Sequence, residues 1–205
     1  MGVTMKLTKE IALKFAKDSI EKHNRPNYPF RSRFRHTLRV LMWVERLQKE
    51  LGGDLEILTY STSLHDCAWN GKENHAITSY KEAKDFLDGF ELEEAFKSKV
   101  LEGVLHHNQN DTLGLCKESY ILMDADELDE VGAISILWDT LAENHQNETM
   151  SYKAALLRIK KYLPDFYKNT QKFHFDYALE IYKRKLKFIE AFIKEAEEEL
   201  EIELQ

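Results

Sequence analysis

The sequence predicts an all-α fold, and three observations carry that prediction. Its 205 residues include only three prolines and eight glycines. Apolar residues recur mostly at three- and four-residue intervals instead of alternating. Capping residues and glycines fall where the periodic stretches begin and end.

The elements follow in order. Thr8 precedes a first helix reaching about His23, with Ile11, Phe15 and Ala16 inward. Asn24 to Pro29 reads as a loop, because each proline pushes its predecessor out of helical geometry. A second helix runs from about Ser32 to Leu51 and stops at Gly52-Gly53, where the chain can turn left-handed. Asp54 caps a third helix whose stripe of Leu58, Ser61 and Thr62 leads to His65. Asn74 opens a fourth helix ending near Gly89, and a fifth covers about Leu92 to Asn108. On the fifth, Phe96, Val100, Gly103 and His107 share one face. A sixth begins near Ser119 and carries Asp124, Asp126 and Asp129. A further helix spans Tyr152 to Leu163 and is expected to end at Pro164. The last runs from about Thr170 into the Glu-rich tail, with Tyr182, Leu186, Ile189, Ile193, Ala196 and Leu200 spaced by four and three. That seam is expected to pack on its own domain, the alternative being a homodimer contact.

The chain is long enough to bury one core, so residues 1–205 are expected to form a single helical domain. A net charge of -7 leaves no basic stripe for phosphate backbones and excludes a general nucleic-acid binder. Cys67 and Cys116 make neither a disulfide framework nor a zinc-knuckle spacing. The first ten residues lack the apolar core of a signal peptide, and no apolar run reaches membrane-spanning length. A soluble, cytoplasmic protein is the expectation.

Four places present metal-type ligands from well-separated helices: His36, His65-Asp66, His106-His107 and Asp124-Ala125-Asp126. Burying several ionisable groups in one core costs several kcal/mol each unless something compensates them. A divalent cation is that compensation, and a mixed nitrogen and oxygen set suits a metal of intermediate hardness. Asp124 and Asp126 point roughly 200° apart on a regular helix, so only one of them reaches a given ion.

His36 in Arg35-His36-Thr37-Leu38-Arg39-Val40, Leu64-His65-Asp66, and Ala125-Asp126-Glu127-Leu128 together resemble the signature of the HD-domain metal-dependent phosphohydrolase superfamily. The resemblance covers roughly Arg31 to Ile136. The run from Asp124 to Ala133 is similar to a small bacterial subgroup that includes nucleotide pyrophosphohydrolases. This implies a helical metal-binding core over about 31–136, followed by C-terminal helices over about 150–205. Its metal ligands would be His36, His65, Asp66 and Asp126, with Asp124 supporting a ligand, capping or structural; Asp129 sits one turn on from Asp126, where a carboxylate can orient a ligand or water or simply be structural. In two-metal members extra histidines hold a second ion, and His75, His106 and His107 occupy comparable regions. The reading preferred here gives those three to the substrate, around a single metal. Trp69-Asn70 stand where guanosine-tetraphosphate hydrolases of the superfamily carry Glu-Asp, which argues against that activity.

The implied function is hydrolysis of a phosphate ester or anhydride of a small metabolite, most naturally a nucleotide. Asp66 and His107 would be catalytic, while Arg33, Arg39, Lys72, His75 and His106 would contact substrate. Arginine suits the phosphate role because its fork pairs with two oxygens at once. The ion would be Mn, Fe, Co, Ni or Mg. Two rivals share the fold: a di-iron oxygenase, marked by two irons per chain, and a non-catalytic nucleotide-binding module, marked by ligand stabilisation without turnover.

Overall fold

The computed structural model describes residues 6–23, 32–70, 74–109, 113–146 and 151–204, and every regular element among them is helical. The loop expected over Asn24 to Pro29 lies outside the described residues. Among the described residues no helix is long and apolar enough to cross a membrane. The chain divides into two compact units, residues 1–126 and 127–205.

In the first unit, α1 is Lys9–Lys22, α2 Arg33–Leu51, α3 Leu55–Leu64, α4 His75–Leu87 and α5 Glu94–His106, and α6, Lys117–Asp129, runs to its end. The helices start where the caps place them. Thr8, Ser32 and Asp54 each accept a backbone N–H of the first turn through a side-chain oxygen, satisfying donors the helix itself leaves orphaned. Asn74 precedes α4 without such a bond. Gly52, at φ 76°, ends α2 in a conformation that penalises any Cβ.

Helix α3 is the centre of this unit. It packs on α1, α2 and α5, while α4 packs on α5. Seven of its ten residues are buried, including Ser61, Thr62 and Ser63. Ser61 and Ser63 solve the resulting polar problem locally by donating to the carbonyls of Leu58 and Thr59. The apolar core joins Leu7 and Ala12 to Ile57, Tyr60 and Leu64, Ala83 and Leu87, and Val100, Leu101 and Val104. A large aliphatic side chain in such a cluster contributes about 1.5–3 kcal/mol by burial.

In the second unit, α7 is Ala133–Gln146, α8 Tyr152–Asn169, α9 Asp176–Glu199 and α10 Glu201–Leu204, with a short 3-10 turn at Thr170–Lys172. Helices α7, α8 and α9 pack on one another. Tyr182, Leu186, Ile189 and Ile193 are buried, and the seam packs within its own unit.

Three sequence expectations are corrected here. Helix α7 was not anticipated. Pro164 does not stop α8, which continues to Asn169. The proline is exposed, so water can satisfy the carbonyl that loses its N–H, and the last turn is held by the Tyr182 hydroxyl on the Phe166 carbonyl at 2.9 Å. The final helix does not begin at Thr170, because Phe173 is extended between the 3-10 turn and α9.

Candidate metal centre

The site is assembled from helix ends. His65 closes α3, and its Nδ1 donates to the Thr62 carbonyl at 2.6 Å. His107 closes α5 in the same way, with Nδ1 2.8 Å from the Val104 carbonyl. Each ring thereby spends its proton on the backbone and turns an Nε2 lone pair outward. His36 comes from the second turn of α2, His75 is the first residue of α4, and Asp126 lies on α6.

These residues converge. The Nε2 of His36 lies 3.4 Å from that of His65 and 3.0 Å from Asp126 Oδ1. On the other side, His75 and His107 bring their Nε2 atoms to 3.2 Å. Asp66 stands between the two pairs. Its Oδ2 is 3.5 Å from His65 and 3.6 Å from His36, whereas its Oδ1 is 3.2 Å from His75 and 3.6 Å from His107. Two ligand groups result, His36-His65-Asp126 and Asp66-His75-His107, each with donor atoms within 4.8 Å of one another.

Asp66 also meets Arg33, whose Nε lies 2.7 Å from Oδ2. The guanidinium carbon sits 4.5 Å from the centroid of the Trp69 ring. The sequence reading uses Trp69 only to argue against one activity and gives it no contact in the site. The usable signal was its position one turn after Asp66, which its backbone N–H fixes by donating to the Asp66 carbonyl at 3.0 Å.

Electrostatics follow from depth. Burial pulls His65 down from 6.5 to about 4, against the opposing pull of Asp66. His75 falls to about 4 for the same two reasons. Burial alone would raise the Asp66 carboxyl, but Arg33, His65 and His107 together hold it well below the usual range. In Asp126 burial is likewise outweighed, first by His36. His107 moves the other way: burial lowers its basicity, and the neighbouring Asp66 more than restores it.

The donor set fits a divalent metal ion. Both Asp66 oxygens are buried, and neither accepts a hydrogen bond of ordinary length and angle. A buried carboxylate needs a cation; Arg33 supplies one at Oδ2, and the imidazole nitrogens around both oxygens suit a metal ion as well. His36, His65, Asp126 and Asp66 Oδ2 can hold one ion; Asp66 Oδ1, His75 and His107 can hold a second. Imidazole with carboxylate suits Mn²⁺, Fe²⁺, Co²⁺ or Ni²⁺.

Among the described residues, the remaining histidine and carboxylate candidates are members of neither group. His106 turns its Nδ1 to Gln109 at 2.8 Å and joins neither group. Asp124 is buried, at 1% exposure, yet also joins neither, so Asp126 is the acid of α6 that faces His36. Asp129 is buried and belongs to the second unit. Arg39 is half-buried on α2, about 120° around the helix from Arg33. Lys72 lies outside the described residues.

Comparison with known proteins bears on the same residues. The sequence model of the HD domain family matches residues 33–130, a span that includes both ligand groups. Among solved structures, an HD-superfamily hydrolase from Bacillus thuringiensis is 21% identical, with 96% of this chain and 97% of that one covered at a TM-score of 0.72. Bacillus subtilis YpgQ in complex with ADP is 16% identical, with 93% and 94% covered at a TM-score of 0.64. The Lin1889 protein of Listeria innocua is 21% identical, with 96% and 99% covered at a TM-score of 0.66. At these identities the likeness is one of fold. A search of curated proteins found no match.

Proposed function

The chain belongs to the HD-domain superfamily, and from that premise we propose that it is a metal-dependent phosphohydrolase of a small phosphorylated metabolite, with nucleotides the leading class. The observation that carries the reading is Asp66: a buried carboxylate, held ionised, facing imidazole lone pairs on both sides. Such a group serves a cation far better than it serves a core. The ADP bound by the B. subtilis relative supports a nucleotide as substrate here.

A bound ion supplies a water of lowered pKa and polarises a phosphoryl oxygen. The chain's own residues do the rest. Asp66 accepts the proton of the attacking water. Arg33 and Arg39 offer guanidinium forks to phosphate oxygens. With a single ion on His36, His65, Asp66 and Asp126, the neutral His75 and the more basic His107 offset charge on the phosphate.

A second reading concerns the number of ions. Asp66 turns Oδ2 toward one group and Oδ1 toward the other, so the two groups would hold two ions, one each. His75 and His107 would then be ligands. Metal analysis of the loaded protein separates one ion per chain from two. Two irons with the absorption of a bridged diferric centre would instead favour an oxygenase.

Turnover of nucleoside mono-, di- and triphosphates, measured with Mn²⁺, Co²⁺, Ni²⁺ and Mg²⁺, tests the reading beside Asp66→Ala. The expected result is metal-dependent phosphate or pyrophosphate release that the substitution abolishes. Turnover indifferent to chelation and to Asp66→Ala removes the proposal.

A further inference from the structure

Arg33 stands at an unfavourable place for a cation. It is the first residue of α2, whose first turn holds no acidic residue, and the positive end of a helix dipole repels a guanidinium. Its side chain is nonetheless only 11% exposed, and its Nε lies 2.7 Å from Asp66 Oδ2.

That oxygen is the one shared with His65 and His36, at 3.5 and 3.6 Å. It therefore faces the first ligand group, and the guanidinium is already paired with it. A divalent ion bound to the same oxygen would sit within a few ångströms of the guanidinium, where two positive charges repel strongly at protein permittivity. The backbone that carries the indole beside Arg33 is itself fixed. The backbone N–H of Trp69 is tied to the Asp66 carbonyl, and that of Ala68 to the Ser79 hydroxyl at 3.1 Å. An arginine released from the carboxylate keeps this aromatic seat at the edge of the site.

We propose that Arg33 is an exchangeable counter-ion of the metal site. It holds Asp66 in the metal-free protein, yields Oδ2 to the incoming cation, and then turns its fork to the anionic substrate from its seat on Trp69. The proposal rests on the phosphohydrolase reading and deepens it, because it makes metal loading the step that frees a phosphate-recognising group. One residue thus opposes the metal and favours the phosphate. An ordinary structural arginine would do neither.

The test uses the full chain, stripped of metal, in the wild-type form and as Arg33→Met, Arg33→Gln and Arg33→Lys. Circular dichroism confirms that each is folded, and the second neutral variant covers failure of the first. Calorimetric titration with Mn²⁺ is expected to show about tenfold tighter binding by Arg33→Met and Arg33→Gln, with Arg33→Lys near wild type. Inorganic phosphate added to the Mn²⁺-saturated proteins should bind the neutral variants about tenfold more weakly than wild type. Mn²⁺ binding that is unchanged or weaker in both neutral variants overturns the exchange, even if phosphate binding falls, since Arg33 would then be a plain phosphate clamp. Failure of the wild type to bind Mn²⁺ at all is a different result: it removes the metal site, and the proposed function with it.

Discussion

Gly103→Ala is the sharpest probe of how the site is held. Gly103 lies on α5 facing α3, and a Cβ built there would meet Ser61 Cβ at 2.9 Å, Ser61 Oγ at 3.3 Å and Leu122 Cδ2 at 3.5 Å. Carbon atoms prefer about 3.5–4.0 Å, so the overlap with Ser61 Cβ is roughly 0.6–1 Å. That atom is attached to the backbone and no side-chain rotation moves it away. The two helices must separate instead. Overpacking of this kind costs about 1–3 kcal/mol, and alanine recovers about 1 kcal/mol over glycine within a helix. A net loss of up to about 2 kcal/mol is expected. The same displacement reaches the metal ligands, because His65 and His107 lie one turn beyond Ser61 and Gly103, with ring centroids 4.9 Å apart. Mn²⁺ affinity should therefore fall by about tenfold or more, as when the support of a ligand is lost. Urea unfolding in chelator measures the first effect and calorimetry the second. Ser61→Gly in the same chain removes the clashing carbon and should restore metal affinity. A Gly103→Ala protein as stable as wild type, with undiminished Mn²⁺ affinity, would refute the reasoning.

Other consequences concern the rest of the fold and its response to pH. Pro164→Ala restores an N–H inside α8, so the variant should be more stable by about 1–3 kcal/mol, read as a raised unfolding midpoint. Gly132 has φ 92°, and its Cβ position lies 3.3 Å from Lys185 Cβ and Cγ. Gly132→Ala should lose about 1–2 kcal/mol to left-handed strain and disturb Lys185, whose amine bonds the Val131 carbonyl at 3.2 Å. In metal-free protein, His65 and His75 titrate near 4 when folded but at 6.5 when not. The unfolded chain thus binds protons first, and stability present above pH 6.5 is lost as the pH falls toward 4, roughly 3 kcal/mol for the fully buried His65. His107, raised instead, opposes the trend but is outnumbered. A urea midpoint in chelator that stays level or rises between pH 7 and pH 5 would contradict this balance.

The helical pattern was legible because it rests on local information, whereas the convergence of His36, His65, Asp66 and Asp126 was what the resemblance to the HD-domain superfamily implied. Periodicity, caps and an adjacent His-Asp pair all lie within a few residues of one another. Helix α7 was missed because Gly132 separates it from α6 by a turn too short to leave a loop signature, while its mixed surface offers no clean stripe. Pro164 misled because a proline's cost depends on whether the orphaned carbonyl reaches water, which only packing decides. His106 and His107 illustrate the same limit. Periodicity favoured His107 as the inward residue, and the fold does bury it against Asp66. Nothing in the sequence said that His106 would turn to Gln109. Likewise the pairing of Arg33 with Trp69 joins residues thirty-six positions apart, and no spacing rule encodes it.

Metal-linked stability is where these threads meet. Four imidazoles, two carboxylates and one guanidinium crowd a single buried place, and much of that arrangement serves the folded protein poorly until a cation arrives. Any ion that binds the folded chain alone stabilises it by RT ln(1 + [L]/Kd), about 2.7 kcal/mol at a concentration a hundred times Kd. Wild-type protein should therefore unfold at a higher temperature as Mn²⁺ is added, with a shift that grows logarithmically with concentration. Asp126→Asn leaves the Asp66 group intact but weakens the group built on His36 and His65. Its shift should move to higher Mn²⁺ concentration, and should vanish altogether if the two groups fill only together. Equal curves for wild type and Asp126→Asn would mean that the stabilising ion does not sit on His36, His65 and Asp126, and that group would have to be given up as a metal site.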